Sequence, residues 1–152
     1  MSQPYQPGKH YWQLVDPYWL LLNESWDGQP AALLAALRSV PSKAQHLYAC
    51  HWCQSEVLNG GFYQFFYNTT GILAPEAVEG FYAVGTPELA EIVAEAMSYF
   101  GPDYPRDRDV RLDALPRTQG EAFAGIDAKF NAWIDAKRNR WELLADSYAT
   151  GP

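Results

Sequence analysis

Between Thr86 and Gly101 the apolar residues Leu89, Ile92, Val93, Ala96, Met97 and Phe100 recur at steps of three and four. That is the period of a helix with one buried face. No stretch of the chain shows the strict alternation that a half-buried strand requires. Thr86-Pro87 opens the run as a cap and first helical position, and Gly101-Pro102 closes it. The same punctuation recurs elsewhere. Asp16-Pro17 predicts the start of a helix through YWLLLNESW, closed by Asp27-Gly28, and Pro30 starts another through Leu33, Leu34 and Leu37. Ser42 with Gln45 predicts a capping box for a third helix that runs to Asn59. Gly60-Gly61 then turns the chain into a short helix, FYQFFYN, that stops at Asn68 and a Thr-Thr-Gly turn. Pro75 begins the next, with Gly85 just past its end. Residues 102–118 are Pro-rich and predict irregular chain with one short helical turn. From Glu121 onward Phe123, Ile126, Phe130, Trp133, Trp141, Leu144 and Tyr148 keep the helical step, as one helix or as two broken near DAKRNR. The expected fold is all-α, a single-domain bundle of about six to eight helices over residues 1–152.

With 48% hydrophobic residues, 152 positions suffice for one core and exclude a disordered tail. The net charge of −7 argues against a direct grip on nucleic acid, which needs a basic footprint. MSQPYQPGKH lacks the basic-then-apolar pattern of a secretory signal, and YWLLL is too short to span a bilayer. No membrane association is expected, and the location expected is cytoplasmic. Cys50 and Cys53 make no disulfide framework, which fits a reducing compartment.

The block EVLNGGFYQFFYNTTG, Glu56 to Gly71, places two adjacent glycines between a helical run and an aromatic cluster. Glu56, Asn59, Gly60, Gly61, Phe62, Gln64 and Asn68 suit a structural motif, since each polar member has a helix end or tight turn to satisfy. A catalytic or ligand-binding cluster is the competing assignment. The block resembles the signature of a bacterial family named for DNA mimicry. Trp52, Glu56, Val57, Asn59, Gly60, Gly61, Phe62, Gln64, Phe65, Phe66, Asn68 and Gly71 match it, with Phe65 where tyrosine is commoner. AVGTPELAEIVAEA and the pair Arg108/Arg111 look like later blocks of the same family. The resemblance covers roughly residues 44–150 and leaves 1–43 as more variable N-terminal helices.

Charge is distributed unevenly. Residues 44–105 hold seven acids and no lysine or arginine, whereas 1–43 balance three against three and 106–152 eight against eight. The middle therefore supplies the whole imbalance. Glu88, Glu91 and Glu95 fall at i, i+3 and i+7, on one side of their helix. They span about 10 Å, over which duplex DNA carries about six charges, so one helix provides about half that density. Glu76 and Glu79 on the preceding helix, with Asp103, Asp107, Asp109 or Asp113 beyond, are candidates for a second row. Together with the resemblance, this implies a DNA mimic whose carboxylates stand in for phosphates. Its partner would be a basic DNA-binding protein, such as a helix-turn-helix regulator. A monomer or a homodimer is equally compatible. An immunity-type inhibitor of a basic toxin needs the same negative face.

The rival chemistry lies in HLYACHWCQSE. His46, Cys50 and Cys53 at i, i+4 and i+7 offer one helix face of metal ligands, with Glu56 or His51 as a fourth. Against this, one helix rarely closes a tetrahedral site, and small cysteines also pack well in a core. No nucleophile elbow, phosphate-binding glycine loop or zinc-protease motif is present, so no catalysis and no cofactor are expected. Arg106, Arg108 and Arg111, in PRDRDVR, are expected to pair with nearby aspartates or with helix carboxylates.

Overall fold

The computed structural model describes residues 3–27, 29–117 and 121–152, the side chain of Asp27 excepted. Among them are eight α-helices and no strand: α1 (Lys9–Glu24), α2 (Pro30–Ser39), α3 (Ser42–Tyr67), α4 (Ala74–Val84), α5 (Pro87–Met97), α6 (Arg108–Ala114), α7 (Ala124–Ala136) and α8 (Arg140–Thr150). The all-α expectation holds. None of these helices is long and apolar enough to cross a membrane.

The core is built around α3. Leu47, Tyr48, Cys50, Cys53, Val57, Phe62, Phe65 and Phe66 from that helix are fully or almost fully buried, and meet Phe81 of α4 and Phe130 and Trp141 of α7 and α8. Removing each Phe from water stabilises the fold by about 1.5–3 kcal/mol. The rings meet largely edge to face, as between Phe62 and Phe130 at 5.7 Å. α4 lies against α3, α5 against α4, and α7 covers both α3 and α5.

The turn between α4 and α5 follows from its residues. Gly85 takes φ 95°, its N–H donates to the Tyr82 carbonyl, and the Thr86 N–H reaches back to Phe81 at 2.8 Å. This is a Schellman closure that returns α5 antiparallel beside α4. Thr86 was expected to cap α5 with its side chain; its hydroxyl instead donates backward to Phe81 O at 3.0 Å.

Two further N-termini differ from expectation. α1 begins at Lys9 rather than Pro17, which lies inside the helix on its exposed side. The cap comes from a distant carboxylate: Asp146 of α8 accepts from Gly8 N at 2.8 Å, from Tyr11 N at 2.9 Å and from the Tyr5 hydroxyl. The expected stop at Gly28 lies outside the described residues. At α3 the capping box does not form. Pro41 occupies the cap position, and Gln45 donates to the Val40 carbonyl at 2.8 Å. The C-terminal run is two helices, separated by Lys137–Asn139, with Asn139 left-handed at φ 59°.

Candidate functional site

The Gly-Gly block folds into a polar knot. α3 breaks at Gly60 (φ −144°, ψ 19°) and Gly61 (φ 74°, ψ −178°), then resumes to Tyr67. The break brings the two halves of the block back onto Glu56. This buried carboxylate accepts from Gln64 Nε2 at 2.6 Å, Asn68 Nδ2 at 3.0 Å and Thr70 Oγ1 at 2.8 Å. Asn59 in turn donates to Gln64 Oε1 at 3.2 Å. On the other side Asp127 of α7 accepts from Phe62 N at 2.8 Å, capping the resumed helix. Burial pushes the Asp127 carboxyl above its ordinary value, against the opposing pull of that N–H. The side chains of Glu56, Asn59, Gln64 and Asn68 all find partners within the knot, an arrangement that holds the two halves of the block together. Thr70 and Asp127 belong to it but carried no signal in the sequence. Asp127 lies 65 positions from Phe62.

The three arginines of PRDRDVR close the same region. Arg111 is fully buried, and its guanidinium donates to the carbonyls of Phe66, Asn68, Pro105 and Arg106 at 2.7–3.2 Å. It thus satisfies carbonyls that the end of α3 leaves open. Burial pulls its pKa below the ordinary value. Gly71 admits it, because a Cβ there would stand 2.6 Å from Phe65 O and 3.0 Å from Arg111 Nε. Arg108 donates to Tyr67 O at 2.8 Å and lies over the Tyr67 ring. Only Arg106 takes the expected helix carboxylate, binding Glu76 through both nitrogens at 2.7 and 2.9 Å. Arg108 and Arg111 differ from expectation because their donors go to backbone carbonyls rather than to the neighbouring aspartates.

The structure divides the eight acids expected at a partner surface. Glu76 has a side chain only 14% exposed and is held by Arg106, so it is corrected from surface charge to internal ion pair. Asp107 caps α6 through Val110 N, and with Asp109 it lines a cleft shared with Arg106, Arg108, Arg111 and Trp26. Signs alternate there, and the cleft includes no residue of α5. These two aspartates therefore add no row to the glutamates of α5. Glu88, Glu91 and Glu95 all emerge exposed on one side of α5. Glu95 meets Lys129 of α7 at 3.1 Å, an exposed pair that contributes little. Glu88, Glu91 and Asp103 are exposed with no lysine or arginine within 4 Å among the described residues. Glu79, 71% exposed, has only His46 Nε2 as a cationic neighbour among the described residues, at 3.9 Å. Glu79 lines the groove at the seam between α4 and α5 with Ala94, Met97, Pro102 and Tyr104, and Asp103 lies between the last two in the chain. Glu79, Glu88, Glu91, Glu95 and Asp103 are thus the exposed acids of residues 44–105.

The metal alternative finds no support in the side chains. Among the described residues no three His, Cys, Asp or Glu groups converge as a metal site requires. Cys50 and Cys53 are fully buried, which pushes both thiols up, and Cys50 Sγ lies 3.6 Å from Ala77 O. Gly80 packs so closely on α3 that a Cβ there would sit 2.6 Å from that sulfur. His46 shares a hydrogen bond with the Tyr148 hydroxyl at 2.8 Å, and His51 stands among Trp12, Trp19 and Trp52 at 4.8–5.8 Å between ring centres.

A family model described as DMP19-like protein matches residues 38–150, from within α2 to the last residue of α8. No curated protein and no solved structure matches the chain.

Proposed function

The chain belongs to the DMP19-like protein family, and on that premise we propose that it is a DNA mimic that acts by binding, without catalysis. Its partner is a basic DNA-binding protein of the bacterial cytoplasm, a helix-turn-helix regulator in the most specific form. Carboxylates on α4, α5 and the segment after α5 take the places of phosphates on the partner's cationic face. One observation carries this: all the excess negative charge arises between residues 44 and 105, and Glu79, Glu88, Glu91 and Asp103 from that stretch are exposed with no lysine or arginine within 4 Å among the described residues. A rigid frame supports them, because α5 is pinned by α4 on one side and α7 on the other. Rigidity matters, since charges already in place lose little freedom on association. Such a partner is steered electrostatically and leaves as salt rises.

The test is retention from native lysate on the immobilised protein, eluted with a salt gradient. A DNA-binding protein released by salt, and not retained by the E88K/E91K/E95K variant, is the expected result. Equal retention by parent and variant contradicts it.

A further inference from the structure

The seam between α4 and α5 ends in a surface groove of about 420 Å³, lined by Pro75, Val78, Ala94, Met97 and Pro102 together with Glu79. Its walls are mostly apolar. Its surroundings are not. Glu79 forms part of one wall, and Asp103 lies between Pro102 and Tyr104, two lining residues. Glu91 stands one turn before Ala94 on the same exposed side of α5. One carboxylate therefore stands in the wall of the apolar slot and two more sit on the segments that form it, and none has a lysine or arginine within 4 Å among the described residues.

We propose that the groove receives one bulky aliphatic side chain from a basic segment of the partner, while lysines or arginines on either side of it meet Glu79, Glu91 and Asp103. This rests on the mimicry proposed above and adds its source of selectivity. Negative charge alone attracts any cationic protein. A desolvated apolar anchor inside a charged rim discriminates among them, as buried anchors do at other interfaces. Met97 suits such a slot, because its unbranched thioether adapts to the shape of what it contacts.

The test uses two short fluorescent peptides, one with a central leucine flanked by lysines and arginines, the other identical but for alanine in place of leucine. Anisotropy titration at low salt should show the leucine peptide binding about tenfold more tightly to the wild-type protein. Both affinities should fall as salt rises. Ala94→Trp, at an exposed position, fills the slot and should make the two peptides equal; Val78→Ser, which makes one wall polar, should shrink the gap in the same direction. Equal affinities for the wild type, with salt dependence intact, overturn the groove and leave the acidic surface standing. If neither peptide binds in a salt-dependent way, the exposed acids are no receptor for cations and both proposals fall.

Discussion

Gly61 carries two constraints at once. Its φ of 74° with ψ near 180° belongs to a region that only glycine occupies without strain, and a Cβ there would stand 2.5 Å from Asp127 Oδ2. Gly61→Ala should therefore cost about 2–4 kcal/mol, combining backbone strain with a displaced Asp127–Phe62 bond, as read by urea denaturation. Gly60→Ala clashes instead with the Gln64 side chain, 2.0 Å away, so it acts by pulling that amide off Glu56. Glu56→Ala leaves the donors of Gln64, Asn68 and Thr70 without their acceptor, which should cost about 3 kcal/mol in the same assay. A substitution here that abolished binding at unchanged stability would contradict the scaffold role. The Asn-Gly-Gly turn was legible in the sequence because glycine pairs mark positions where the backbone leaves the common regions. Asp127 was not, because it comes from another helix and no local pattern announces it.

At the scale of elements, α1 is tied down by a carboxylate and an aromatic cluster. Asp146 caps its first turn from α8, and Trp19 stacks on Trp52 of α3 at 5.6 Å. Asp146→Ala should lower hydrogen-exchange protection in α1 about tenfold, the effect of losing one cap, with α3 unchanged. His51 adds a pH dependence. Burial among the rings lowers its pKa below the ordinary value, so the docked state favours the neutral imidazole. Its contribution is fully present above the unfolded pKa of about 6.5 and is lost as pH falls toward the lower folded value. Protection of α1 should therefore weaken below that pH, and His51→Gln should flatten the change. Proline and glycine punctuation located α2, α4 and α5 and the break in α3, since those signals are local. It misplaced the start of α1, because Pro17 imitates a first helical position while the true cap lies 138 positions from Gly8.

Over the whole molecule, the charge pattern was legible as an imbalance but not as a surface. Sequence spacing put Glu88, Glu91 and Glu95 on one side of a helix, and they emerge exposed there. It gave no way to see that Arg106 would reach back 30 positions for Glu76, or that Asp107 and Asp109 would share a cleft with arginines. The two kinds of acid should respond differently. Glu76→Gln breaks a partly buried bidentate pair and should lower stability by about 1 kcal/mol, seen in denaturant, with little effect on partner binding. Reversal of Glu88, Glu91 and Glu95 should change stability by less than about 1 kcal/mol, because exposed charges contribute little. The decisive measurement is competition: a labelled DNA duplex bound to the retained partner, titrated with the protein and with its E88K/E91K/E95K variant. The parent should displace the duplex and the variant should not, at equal helicity; displacement by both, or by neither, would contradict a surface that stands in for DNA.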